Sequence, residues 1–230
     1  MAFLSKIELK QGVDLRALAR AIPKNAYAEH QVIWALMARE REQSRDFLFR
    51  REHVGHWPVF YVLSSQSPTQ PQDGPWSVHT KAFTPKLSAS QRLGFVLRAN
   101  PVRTTKASSE PADKRRQRHD VVMDAKRQEH AKVVEPAMRS SQAQLVQQAG
   151  PRWLEERAER AGFSLEALYV DDYHQHRLTK RGQQHPIRFS TVDYQGILRV
   201  LDTKRFIETL HRGIGPAKAF GCGLMLVRPV

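Results

Sequence analysis

The chain has a single cysteine, Cys222, in 230 residues, which excludes an internal disulfide and any cysteine-based metal cage. Long apolar runs are also missing. The longest, Val32 to Ala38, is seven residues, far short of the roughly 20 that span a bilayer. The opening residues MAFLSKIELK carry Lys6 and Glu8 where a secretory signal needs an unbroken apolar stretch. A cytoplasmic protein with no membrane partner is expected. Acidic residues are absent from three stretches: Gly74 to Ser109, Tyr173 to Val192, and everything after Glu208.

What those stretches do contain is basic. Together they hold 13 Lys and Arg residues, so the rest of the chain carries 24 basic against 23 acidic. Nearly all of the formal charge of +14 resides in about a third of the chain. A charge that large speaks about partners rather than fold, and the partner it suits is a polyanion. One reading is a single phosphate-facing surface built from three places in the sequence; the other is a scatter of solvated lysines and arginines. Hydrophobic residues at 40% exclude wholesale disorder.

Alternation marks Phe3 to Leu9 as a strand. Asn25 is a helix N-cap, followed by Tyr27 to Arg41 with Val32, Ile33, Leu36 and Met37 on one side. Phe47 to Arg51 and Val59 to Ser65 read as a hairpin, and Ser67 to Pro75 as loop. Leu93, Phe95 and Leu97 alternate in a strand that ends at Asn100-Pro101. The charged middle of the next stretch, Lys114 to Lys132, lacks a clean apolar face, so residues 104–148 are expected to include a mobile linker or a helix that orders on binding. Then follow a helix from Trp153 to Ala161, strands Leu165 to Arg177 and Ile187 to Leu201, a helix from Thr203 to Arg212 capped by Asp202, and a strand from Leu224 to Arg228. From Arg92 onward that order is the split βαβ, ferredoxin-like arrangement. Residues 1–90 supply most of a second copy. The expected fold is α+β: two tandem ferredoxin-like (βαββαβ) domains, 1–90 and 91–230, the second holding the basic hairpin and a glycine-rich loop.

The glycine-dense run from Gly213 to Gly223 is neither a Walker A loop nor a dinucleotide fingerprint. Lys218 lacks the neighbours of the first, and the order helix–loop–strand is wrong for the second. It is either a tight connection or a backbone-exposed loop in which Gly215, Lys218 and Gly221 approach a polyanion. Tyr27 and His30, three apart near a helix start, project from one side; with Trp34 they flank the apolar face, as either a structural pair or a pocket wall. Arg177, Lys180 and Arg181 sit in a turn between strands, either solubilising charge or phosphate contacts. Arg98 and Arg103 belong to the acid-free stretch from Gly74 to Ser109. His174 and His176 share a strand face and His53 and His56 a turn, but no third ligand stands at a metal-binding spacing. No metal or cofactor is expected.

The segments FLSKIEL, NAYAEHQ, FVLRANPVR and GIGPAKAFGCGL, in that order, resemble the CasE family, the CRISPR-RNA-processing endoribonucleases of type I-E systems within the repeat-associated RNA-binding superfamily. The resemblance spans nearly the whole chain and departs from it between Thr104 and Gln148. It implies two ferredoxin-like domains and metal-independent cleavage of a CRISPR repeat stem-loop. It also implies that His30 and Tyr27 act at the cleavage site. The turn with Arg177, Lys180 and Arg181 would enter the RNA groove, and Lys218 would lie on the RNA-binding side. Its other partners would be further subunits of a type I-E surveillance complex. RNA supplies its own nucleophile: the 2′-OH attacks the adjacent phosphate, leaving a 2′,3′-cyclic phosphate, after which the protein is expected to stay bound to the product. The competing expectation is a non-catalytic RNA-binding subunit of the same kind of complex.

Overall fold

Alternation in Phe3–Leu9 turns Ser5 and Ile7 inward, and both are fully buried in the resulting strand, β1. The structure, a computed structural model, describes residues 1–37, 46–70, 73–105, 117–133, 135–179 and 185–230. After β1 come α1 (Leu15–Ala21), α2 (Ala26–Leu36), β2 (Phe47–Val54), β3 (Trp57–Ser64) and β4 (Trp76–Ala82). Next are β5 (Arg92–Ala99), β6 (Val102–Thr105), β7 (Gln117–Asp120), α3 (Val121–Lys132) and α4 (Gln142–Ala158). The chain finishes with β8 (Phe163–Leu178), β9 (Ile187–Val200), α5 (Thr203–Arg212) and β10 (Met225–Pro229). Two compact units result, Met1–Lys86 with Leu210–Leu224, and Leu87–Thr209 with Met225–Val230.

In the first unit the sheet order is β2-β3-β1-β4, antiparallel throughout, the ferredoxin-like order. Its core joins Ile33, Leu36 and Met37 of the α2 region to Ile7, Phe47, Phe49, Phe60, Val62 and Trp76 of the sheet. The rings of Phe47, Phe49, Phe60 and Trp76 follow one another at centroid spacings of 6.3, 6.4 and 5.6 Å, within the range of favourable aromatic pairs. Asn25 starts α2 as expected: its side chain accepts from the Ala28 N–H at 2.9 Å. Residues 38–41 of the expected helix lie outside the described residues.

The second unit has the order β10-β5-β9-β8, again antiparallel. With α4 and α5 it completes strand, helix, two strands, helix, strand. Leu93, Phe95, Leu97 and Ala99 alternate inward along β5 as their spacing requires. Ser141 and Gln144 form a capping box at the start of α4.

The stretch 104–148 was expected to include a mobile linker or a helix that orders on binding; residues 106–116 and 134 of it lie outside the described residues, and the described part contains strand and helix. Asp120 caps α3, accepting from Val122 N and Met123 N, and also accepts from the Tyr173 hydroxyl on β8 at 3.0 Å. Only Val122 of α3 is buried, so its placement comes from these polar ties and from packing on α4, which no apolar periodicity reveals. The glycine-rich run, expected with residues 91–230, groups instead with the first unit, because its backbone closes onto β2.

Candidate functional site

His30 lies on α2 one turn after Tyr27, and both are half-buried. The His30 ring is stacked on Phe47 of β2, with centroids 5.9 Å apart and planes 21° from parallel. Trp34, one turn further along α2, stands 5.6 Å from it. Core aromatic rings thus back one side of the imidazole without enclosing it. A flank position for Tyr27, His30 and Trp34 was the expectation, and Phe47 is the wall it missed, supplied by a strand distant in sequence.

The glycine-rich run reaches the same helix. After α5 ends at Arg212, the Ile214 N–H donates to the Gly223 carbonyl at 3.0 Å, pinching the run into a closed loop. At its tip a 3-10 turn, Lys218–Phe220, lies against α2 and β2. Glycine is required here by closeness as well as by dihedral. A Cβ on Gly213 (φ +74°) would sit 2.8 Å from Leu48 Cδ1 and 2.9 Å from the Gly223 oxygen, and one on Gly221 (φ +78°) 3.2 Å from Phe49. Gly215, Lys218, Gly221, Tyr27 and His30 therefore all belong to one unit, on elements that touch. The Lys218 ammonium donates to the Arg212 carbonyl at 2.6 Å. It satisfies one of the open acceptors at the end of α5, so the residue has a structural duty beside its charge.

The other candidates lie in the second unit. Arg98 on β5 faces Asp193 on β9 and grips it with two hydrogen bonds, 3.0 and 2.6 Å, with Asp172 at 3.9 Å. Its neighbourhood in sequence is free of acid, but its neighbourhood in space is not, and its charge is balanced within the protein. Arg103 on β6 is exposed and bonded to Asp124 of α3. Arg177 on β8 is exposed and directly opposite Arg188 of β9. Lys180 and Arg181 lie outside the described residues.

His174 pairs with Asp172 at 2.5 Å. His176 bonds the Thr191 hydroxyl at 2.9 Å and stacks on Phe189 with centroids 4.6 Å apart. Burial, reinforced by the charges of His174 and Arg98, holds His176 below the ordinary imidazole value. Among the described residues no group of three or more His, Cys, Asp or Glu is placed to hold a metal ion, and no helix is long and apolar enough to cross a membrane.

Sequence reasoning also missed the contact nearest to His30 in the chain. Its neighbour Glu29 is buried and accepts a hydrogen bond from Arg51 of β2 at 2.6 Å. A carboxylate in the i, i+4, i+7 row with Ile33 and Leu36 was the available signal.

Two four-stranded antiparallel sheets, each in the ferredoxin-like order, define a protein of tandem ferredoxin-like domains. The chain belongs to the family described as CRISPR associated protein, whose model matches residues 2–229. It is 28% identical to the CRISPR-associated endoribonuclease Cse3 of Thermus thermophilus, over 92% of this chain and 93% of that protein. It is 27% identical to the CRISPR system Cascade subunit CasE of Escherichia coli, over 93% and 96%. A solved structure of Thermus thermophilus Cse3, bound to an RNA representing a pre-cleavage complex, superimposes with a TM-score of 0.67. It is 28% identical and covers 99% of each chain.

Proposed function

We propose that this protein is a metal-independent endoribonuclease that binds CRISPR repeat stem-loops and cuts them through their own 2′-OH. The observation that carries the reading is the position of His30: partly accessible, backed by Phe47, on a helix that meets the Lys218–Phe220 turn. The 2′-oxygen attacks phosphorus as its proton leaves, the bond to the 5′-oxygen breaks, and that oxygen takes up a proton. The products are a 2′,3′-cyclic phosphate and a 5′-OH. His30 moves one of these protons, and Tyr27 orients the phosphate. One such group contributes about 10²–10⁴-fold, and holding the attacking and leaving oxygens in line contributes the rest.

Duplex RNA hides its base edges in a deep, narrow major groove, so stem shape and phosphate spacing carry recognition. Arg177, Lys180, Arg181 and Arg188 supply positive charge for the stem phosphates, and Gly215, Gly221 and Lys218 supply contacts for the strand near the cut. Arg103 adds an exposed charge. Arg98, held by Asp193, supports its strand rather than the RNA. The protein works in the cytoplasm and keeps its product, and it joins a Cascade complex, in line with the name of the Escherichia coli relative, a Cascade subunit. The test is incubation with the repeat hairpin in excess chelator, with end-group analysis of both fragments. Cyclic phosphate and 5′-OH ends are expected, and His30→Ala abolishes them while RNA binding persists. Loss of cutting in chelator, or undiminished cutting by His30→Ala, overturns the reading.

A further inference from the structure

The buried row of α2 is Glu29, Ile33 and Leu36, the i, i+4, i+7 pattern of a helix face turned toward a core. Its first position holds a carboxylate where hydrocarbon is the rule. On β2 the row facing α2 runs Phe47, Phe49, Arg51, and there the third position holds a guanidinium. The two exceptions meet. Arg51 Nη1 donates to Glu29 Oε1 at 2.6 Å, and Arg51 Nη2 donates to His53 Nε2 at 3.1 Å. The Glu29 side chain is only 11% exposed and that of Arg51 20%.

An ion pair this enclosed is a poor source of stability. Stripping water from both charges offsets most of their attraction, and a well-packed apolar pair of similar volume does as well or better. What the pair supplies is geometry. Ile33 and Leu36 pack acceptably over a range of helix settings, whereas a charge-assisted hydrogen bond holds only near one. At 11 residues, α2 is too short to be stable without its packing, so its contacts with β2 decide its roll. His30 follows Glu29 directly in the chain, and its ring contacts with Phe47 and Trp34 tolerate sliding.

We infer that Glu29 and Arg51 are positioning residues for cleavage: their ion pair sets the roll of α2 on β2 and thereby the aim of His30. The inference rests on the reading of His30 as the proton-transfer group. A displacement on the order of 1 Å at a reacting group costs about 100-fold in rate, so an apolar substitute for the pair spares the fold and damages the chemistry.

The experiment compares Glu29→Leu/Arg51→Met, Glu29→Gln, Arg51→Lys and His30→Ala in single-turnover cleavage, RNA affinity and thermal unfolding. The apolar double variant is expected to unfold at or above the wild-type temperature and to bind repeat RNA within about twofold of wild type. Its cleavage is expected to be at least about tenfold slower. Arg51→Lys, which keeps the charge, recovers part of that rate. Should the double variant not fold, Glu29→Gln, which keeps shape and loses charge, carries the same expectation for rate against affinity. Wild-type cleavage by the decisive variant overturns the inference, and so does a rate loss matched by an equal loss of affinity or fold. His30→Ala separates the two levels. If it is inactive while the pair variants cut normally, only the positioning role falls; if it cuts normally, the reading of His30 falls first.

Discussion

Arg177 and Arg188 occupy opposed positions in the β8–β9 ladder, two guanidinium groups where strands favour unlike or neutral partners. Like charges so placed weaken a hairpin by roughly 0.2–1 kcal/mol, and among the described residues neither forms an ion pair. A phosphate between them turns repulsion into attraction. Arg188→Gln is therefore expected to leave the free protein as stable as before or slightly more so, while weakening repeat-RNA binding. The slope of log K against log salt should shrink by about 0.7–0.9 for the lost contact. Titrations between about 50 and 200 mM salt measure it; an unchanged slope places Arg188 away from RNA.

Arg98 makes the opposite case. Its two hydrogen bonds to Asp193 join β5 to β9, so Arg98→Met should lower the unfolding temperature and leave the salt slope untouched. The expected loss of stability is on the order of 1–2 kcal/mol, in line with hydrogen bonds to a charged group at a partly exposed site. Denaturant unfolding and the same titration distinguish this from a phosphate contact.

That contrast shows how far a linear reading goes. Strands β1 and β5 and the start of α2 were legible because alternation, Asn25 and the Asn100-Pro101 stop are local signals. Strand β4 was not: apart from Trp76 it is largely exposed, so little hydrophobic pattern marks it. Helix α3 owes its placement to the tie between Tyr173 and Asp120, 53 positions apart. For the candidate site, Tyr27 and His30 could be picked out by spacing, but Phe47 behind the imidazole and Asp193 beside Arg98 arrive through tertiary register. An acid-free stretch of sequence is not an acid-free surface.

His176 predicts a pH response. Burial holds its imidazole below the ordinary value, so between the folded value and about 6.5 the unfolded chain binds a proton that the folded chain refuses. Stability should therefore be complete above about pH 6.5 and decline as the pH falls below it. His176→Gln removes that contribution. Unfolding free energies measured across this range in both proteins check it, and identical pH slopes in the two remove His176 from the response.

Gly12 and Gly213 share nearly the same left-handed backbone, φ +75° and +74°, yet they meet different surroundings. A Cβ at Gly12 would find nothing within 4 Å, whereas at Gly213 it would press on Leu48 Cδ1 at 2.8 Å and on the Gly223 oxygen at 2.9 Å. Gly12→Ala thus bears only the dihedral penalty, about 1–2 kcal/mol. Gly213→Ala adds overpacking of about 1–3 kcal/mol. Part of the second cost cannot be relieved by a side-chain rotation, because the Gly223 carbonyl is backbone and is already engaged with Ile214. The loop must shift instead, carrying the Lys218–Phe220 turn away from α2. Denaturant midpoints should rank wild type above Gly12→Ala above Gly213→Ala. Repeat cleavage per folded molecule should drop only in Gly213→Ala. Equal cleavage by the two variants would separate the glycine-rich loop from the working of His30.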